Sequence, residues 1–118
     1  MFMLRRRRGG LTLQEAIAGA QSGAVAVIDL REPGEVARTG KARGALEIPL
    51  ARLAEAADPA SPACPRALRD AEKIALYCAS GARSRMGASV LRRLGYDEVY
   101  NIGGLGHWQR AGGAVEHE

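Results

Sequence analysis

The chain has 118 residues, 47% hydrophobic and 25% charged, with 17 Lys and Arg against 13 Asp and Glu for a net charge of +4. That length suits one compact core, and that composition excludes a disordered or low-complexity chain. Two cysteines, Cys64 and Cys78, with no C-x-x-C pair and no clustered histidines, exclude a disulfide framework and a zinc-type ligand set. They point to a reducing, cytoplasmic setting. The longest uncharged stretch, residues 16–28, is broken by Gly and Ser and falls short of the ~20 residues a membrane span needs, so no membrane partner is expected.

The basic excess is local. Residues 1–10 read as a flexible basic tail carrying Arg5, Arg6, Arg7 and Arg8, and residues 11–118 as one domain. Without those four arginines the bases match the 13 acids of the chain. The tail lacks the apolar core of a signal peptide, and no interleaved aromatics or second basic stripe support nucleic-acid binding. Thr12 with Glu15 forms a capping box that opens a helix through Ser22. Ala24 to Ile28 is a continuous apolar, partly β-branched run, read as a strand buried on both faces and broken by Pro33-Gly34. Residues 45–48 form a weaker strand candidate, and residues 50–57 a helical stretch. Three prolines within residues 58–65 mark a surface loop. Lys73 to Cys78 repeats the buried-strand pattern. Ser84 to Leu94 is helical, with Met86, Val90, Leu91 and Leu94 predicted on its inner face. Glu98 to Ile102 gives a last strand and Leu105 to Arg110 a last helix. Strands alternating with helices imply an open, mainly parallel α/β sheet, expected to have five strands with helices on both faces.

Ligands of such sheets bind beyond the carboxyl ends of the strands, which directs attention to Cys78-Ala79-Ser80-Gly81-Ala82-Arg83. Only small residues separate the thiol from the guanidinium, and a helix begins near Ser84. Consecutive backbone N–H groups can then point inward as an anion-binding nest at a helix N-terminus. The same field and the charge of Arg83 would favour thiolate over thiol. Taken alone, a cysteine at a strand end also reads as a small buried hydrophobe.

The run Cys78 to Ser84 resembles the active-site loop of the rhodanese-like sulfurtransferases. Asp29-Leu30-Arg31-Glu32-Pro33 with Glu35 is similar to their D-x-R-E segment, Gly44-Ala45 to Ile48-Pro49 to their G-A-x-x-I-P element, and Gly103-Gly104 to Trp108 to their G-G-x-x-x-W close. The resemblance runs from about residue 11 to residue 115, so residues 11–118 would form a single rhodanese-like domain. One departure is Gly40-Lys41-Ala42-Arg43-Gly44-Ala45, where the family has G-H-I-P-G-A. The resemblance implies that Cys78 accepts a sulfane sulfur as a persulfide, with Ala79, Ser80, Gly81, Ala82, Arg83 and Ser84 forming the substrate-binding cradle. It implies a small anionic donor such as thiosulfate or another persulfide, cyanide or a thiol as acceptor, a protein among the acceptors, and no organic cofactor or metal. Related phosphatases have one more residue between Cys and Arg; four here favour sulfur. The alternatives are a non-catalytic binding or regulatory module and a phosphatase- or arsenate-reductase-like enzyme.

Other residues read as scaffold. Asp29 and Arg31 are expected to tie a strand exit to neighbouring loops, and Trp108 to anchor the core. Arg85 reads equally as part of a positive mouth or as a solvated helix residue. Cys64, in the proline-rich loop, is expected to be an incidental exposed thiol rather than a resolving one.

Overall fold

The computed structural model describes residues 10–117; the arginines of the tail lie outside the described residues. The helices are α1 (Leu13–Ser22), α2 (Pro33–Thr39), α3 (Leu53–Ala56), preceded by a 3-10 turn at Leu50–Arg52, α4 (Arg66–Asp70), α5 (Ala82–Arg93) and α6 (Leu105–Arg110). The strands are β1 (Val25–Asp29), β2 (Lys41–Ala42), β3 (Leu46–Glu47), β4 (Lys73–Cys78), β5 (Val99–Gly104) and β6 (Val115–Glu116). Among the described residues no helix is long and apolar enough to cross a membrane.

The central sheet is parallel, in the order β3-β1-β4-β5, and has four strands rather than the expected five. The remaining extended segments, β2 and β6, pair antiparallel with each other as a separate ribbon. Two interactions tie β2 to the end of the sheet without a strand-to-strand ladder. Arg31 grips the carbonyl of Gly40 immediately before β2, and the Ala42 N–H donates to the Tyr77 hydroxyl at 2.8 Å.

Alternation along β1 and β4 splits the core into two halves, because successive side chains leave opposite faces of a strand. Val25 and Val27 with Ala75 and Tyr77 pack beneath α1 and α6, where Ala16, Leu105 and Trp108 complete one half. Ala26 and Ile28 with Ile74, Leu76 and Cys78 pack on the other side, under α3, α4 and α5. Trp108 is buried, and its indole N–H donates to the Ala114 carbonyl at 2.7 Å, in the expected anchoring role.

The Thr12–Glu15 capping box forms as read from the sequence, with reciprocal bonds of 2.9 and 3.0 Å. Pro33-Gly34, read as a break, instead starts α2. Proline at N1 has its φ already set for a helix, and Glu35 closes a capping box on Glu32. On α5 the inner face carries Leu91 as expected, with Val90 and Leu94 partly buried against the same core, but Met86 lies elsewhere. The buried residues of the helix are Ser84, Gly87, Ala88 and Leu91, while Met86 is 62% exposed. Turning Ser84 toward the end of β4 fixes the rotation of the helix, and Met86, two positions on, is carried to the far side.

Candidate active site

Cys78 is the last residue of β4, on the α5 face of the sheet. Chain reversal from strand to helix takes place within Ala79-Ser80-Gly81. Gly81 has φ of +100°, a conformation suited to glycine, and this turn swings its own N–H back onto Cys78 Sγ at 3.1 Å. The Ser84 hydroxyl, in the first turn of α5, lies 3.7 Å from the same sulfur. Floor space for the loop comes from Gly104 at the end of β5, where an added Cβ would stand 2.4 Å from the Ala79 carbonyl oxygen.

Cys78 is 1% exposed, and its sulfur accepts the inward-pointing Gly81 N–H. Burial pushes the Cys78 thiol up. Against it act the N–H and hydroxyl of Ser84 and the N–H groups of Gly81 and Ser80, and the outcome is a thiol below its ordinary range. The positive end of α5 adds to the same field.

Arg83 is placed differently from the sequence reading. Its guanidinium makes two parallel bonds to Glu35 on α2, at 2.8 and 2.9 Å, with both side chains partly exposed. Bonding by Arg83, aided by the Glu32 N–H, holds the Glu35 carboxyl down at about 2. Arg83 senses the Cys78 sulfur through space, but Glu35 is the first cause of its own raised value. The arginine therefore enters the site already matched by a carboxylate, and the thiol depends on N–H and O–H donors. Of the loop residues singled out in the sequence, Gly81 donates its N–H to the sulfur, Ser84 Oγ lies within reach of the thiol proton, the N–H groups of Ser84 and Ser80 help to lower the thiol, Ala79 packs over Gly104, and Ala82 opens α5 in an exposed position.

Two residues of the site were missed in the sequence reading. Glu35 was quoted only as part of a motif, without a role. Asn101 on β5 lies against the loop, its amide donating to the Gly81 carbonyl at 2.9 Å and its oxygen accepting from Ser84 Oγ at 2.7 Å. The available signal was one amide side chain between apolar neighbours on the strand next to β4.

Behind the loop, on the other face of β4, lies a buried polar cluster. Asp29 accepts from the Tyr77 hydroxyl, and its carboxylate is gripped by Arg31, which also donates to Thr39 Oγ1 at 2.8 Å and to the Gly40 carbonyl at 2.7 Å. Asp29 is fully buried and Arg31 is 5% exposed. These residues knit β1, β4 and the start of β2 together, which is the structural role expected of them, although inside the protein rather than at its rim.

Cys64 differs from expectation in being buried. Its sulfur faces the Tyr96 hydroxyl at 3.6 Å, and that hydroxyl donates to the Ala57 carbonyl at 2.7 Å, so the proline-rich loop is pinned down over the core. Arg85 is exposed.

This ordering of elements around a Cys-to-Arg loop has relatives. The family model of the rhodanese-like domain matches residues 12–111. The chain belongs to the rhodanese-like domain family. Among relatives of this rhodanese-like chain, a protein of Allochromatium vinosum named sulfurtransferase is 32% identical over 75% of this chain and 75% of its own. A solved structure from Rhodopseudomonas palustris, of a protein described as of unknown function and a possible tyrosine phosphatase, is 37% identical. It superposes with a TM-score of 0.74, covering 91% of this chain and 83% of that one. The human single-domain sulfurtransferase TSTD1 is 28% identical, with a TM-score of 0.69 over 86% of this chain and 95% of its own.

Proposed function

We propose that this rhodanese-like protein is a sulfurtransferase that carries a sulfane sulfur as a persulfide on Cys78. The observation that carries the reading is the Gly81 N–H aimed at Cys78 Sγ at 3.1 Å, inside a loop of four residues between Cys78 and Arg83. In the first step the Cys78 thiolate attacks the outer sulfur of a donor such as thiosulfate. The new S–S bond forms as the donor's own S–S bond breaks, and sulfite leaves with the electron pair. In the second step cyanide or a thiolate attacks the terminal sulfur of the Cys78 persulfide, and Cys78 departs as thiolate. Each half-reaction conserves charge, and neither draws on an external oxidant or reductant. The N–H groups of Ser80, Gly81 and Ser84 hold negative charge on the sulfur at every stage, a preorganised electrostatic role.

Loop size supports sulfur over phosphate, and so does the Arg83–Glu35 pair. A guanidinium already bound by two carboxylate oxygens is poorly placed to clamp a tetrahedral dianion. The protein is incubated with thiosulfate, or separately with a low-molecular-weight persulfide, and its intact mass is measured. Gain of one sulfur, reversed by cyanide and absent in Cys78→Ser, is the expected result. No adduct from either donor would leave a non-catalytic binding module as the better reading, and hydrolysis of an aryl phosphate requiring Cys78 would favour a phosphatase.

A further inference from the structure

Asn101 pairs in register with Leu76, and two positions further along β4 the register shifts so that Cys78 lies opposite Gly104. Beside this irregularity its side-chain amide is committed to the loop. Nδ2 donates to the Gly81 carbonyl at 2.9 Å, and Oδ1 accepts from Ser84 Oγ at 2.7 Å and from the Gly103 N–H at 2.9 Å. The partners fix the orientation, since a backbone N–H can only donate and a carbonyl can only accept. Ser84 Oγ carries one proton, and Asn101 Oδ1 is a closer acceptor for it than the Gly81 carbonyl at 3.1 Å. While Cys78 is a thiol, its proton can go to Ser84 Oγ, which passes its own to Asn101. Once the sulfur is ionised, the same Ser84 proton can turn to it. Asn101 thus holds both groups that bond the sulfur, Gly81 and Ser84.

We propose that Asn101 is a positioning residue for sulfur transfer, its amide fixing the Gly81 turn, whose N–H donates to Cys78 Sγ, and holding the Ser84 hydroxyl beside that sulfur. The inference rests on Cys78 as the sulfur carrier. The charged or titratable side chains near the loop include Arg83 and Arg85 on α5, Glu32 and Glu35 at the start of α2, and His107 on α6, whose Nδ1 accepts the Gly104 N–H at 3.0 Å. All of them are retained in the variants that follow.

The pH profile of Cys78 alkylation by iodoacetamide is compared in the parent protein, Asn101→Ala and the near-isosteric Asn101→Asp, with urea unfolding measured in parallel. Asn101→Ala is expected to move the alkylation midpoint upward, so that a one-unit rise lowers the rate at pH 6 about tenfold while the high-pH plateau is kept. Asn101→Asp, which loses the donor to Gly81 and adds negative charge, shifts further in the same direction. A midpoint unchanged in both variants, with or without a fall in stability, overturns the proposal and leaves Asn101 a structural tether. Failure of the parent protein to take up sulfur overturns the transfer reading instead, and the alkylation profile separates the two failures.

Discussion

Replacing Glu35 with Gln removes one charge and little else, because the amide oxygen of Gln can still accept the Glu32 N–H that closes the start of α2. What is lost is the charge-assisted pair with Arg83. The Glu35 carboxyl falls from an ordinary 4.5 to about 2 in the folded protein, and at 1.36 kcal/mol per unit that sets a ceiling of about 3 kcal/mol. Both partners remain roughly a third exposed, so solvent screening reduces the expected contribution to about 1 kcal/mol. The sign follows from a folded value below the unfolded one. The stabilisation is complete above pH 4.5 and is lost as the pH falls toward 2. By pH 3 roughly half or more of it is gone. Urea unfolding of the parent and Glu35→Gln at pH 7, 4 and 3 should show a gap in stability that is constant above pH 5 and narrows below it. A gap as wide at pH 3 as at pH 7 would refute the ionic origin of the pair's contribution.

Ser84→Ala removes a hydroxyl 3.7 Å from the sulfur and should raise the Cys78 midpoint, slowing alkylation at pH 7 by roughly three- to tenfold. Arg83→Met should move it less, since that charge is matched by Glu35; the reverse order would mean that the guanidinium governs ionisation. Tyr77→Phe deprives buried Asp29 of a donor and the Ala42 N–H of its acceptor, and is expected to cost about 1–3 kcal/mol in urea unfolding. Full stability in that variant would show that the cluster is not needed to join β2 to the sheet. Gly104→Ala should lower stability and shift the alkylation profile, because its Cβ would meet the Ala79 carbonyl. Gly34→Ala, with open space around the added methyl, should do neither. Equal behaviour of these two glycine variants would count against the close approach of β5 to the loop.

The parts of the fold that could be read from the chain are those written in local pattern. Ala24 to Ile28 and Lys73 to Cys78 are apolar without interruption, and the structure makes both central strands, β1 and β4, buried on two faces. The capping box at Thr12 needs only residues three apart. Short segments carry no such pattern. Lys41-Ala42 and Val115-Glu116 are two residues each, and they become strands only because each finds the other across more than 70 positions. The sequence reading expected five strands but assigned segments to only four of them, and the structure pairs these two unassigned segments as a ribbon outside the four-stranded sheet. Met86 was assigned inward because hydrophobicity was the only guide to the helix face. The structure instead spends the inner face of α5 on Ser84 and Gly87, a polar contact to the sulfur and a close approach to Leu30.

The same distinction runs through the site. Cys78, the small loop residues and the helix start are contiguous, so the cradle could be inferred from one stretch of chain. Its charge balance could not, because the groups that set it arrive from far away: Glu35 reaches Arg83 across 48 positions, and Asn101 reaches Gly81 across 20. Read alone, Arg83 is the cation expected to ionise the thiol. With Glu35 in place, the competition is between burial, which favours the neutral thiol, and the donors of Ser84, Gly81 and Ser80, which favour the anion and prevail. Short-range donors of this kind suit the sulfur carrier proposed above, whose charged atom would change from thiolate to persulfide and back. They favour the anion at Cys78 without an unmatched fixed cation in the loop, because Arg83 is paired with Glu35.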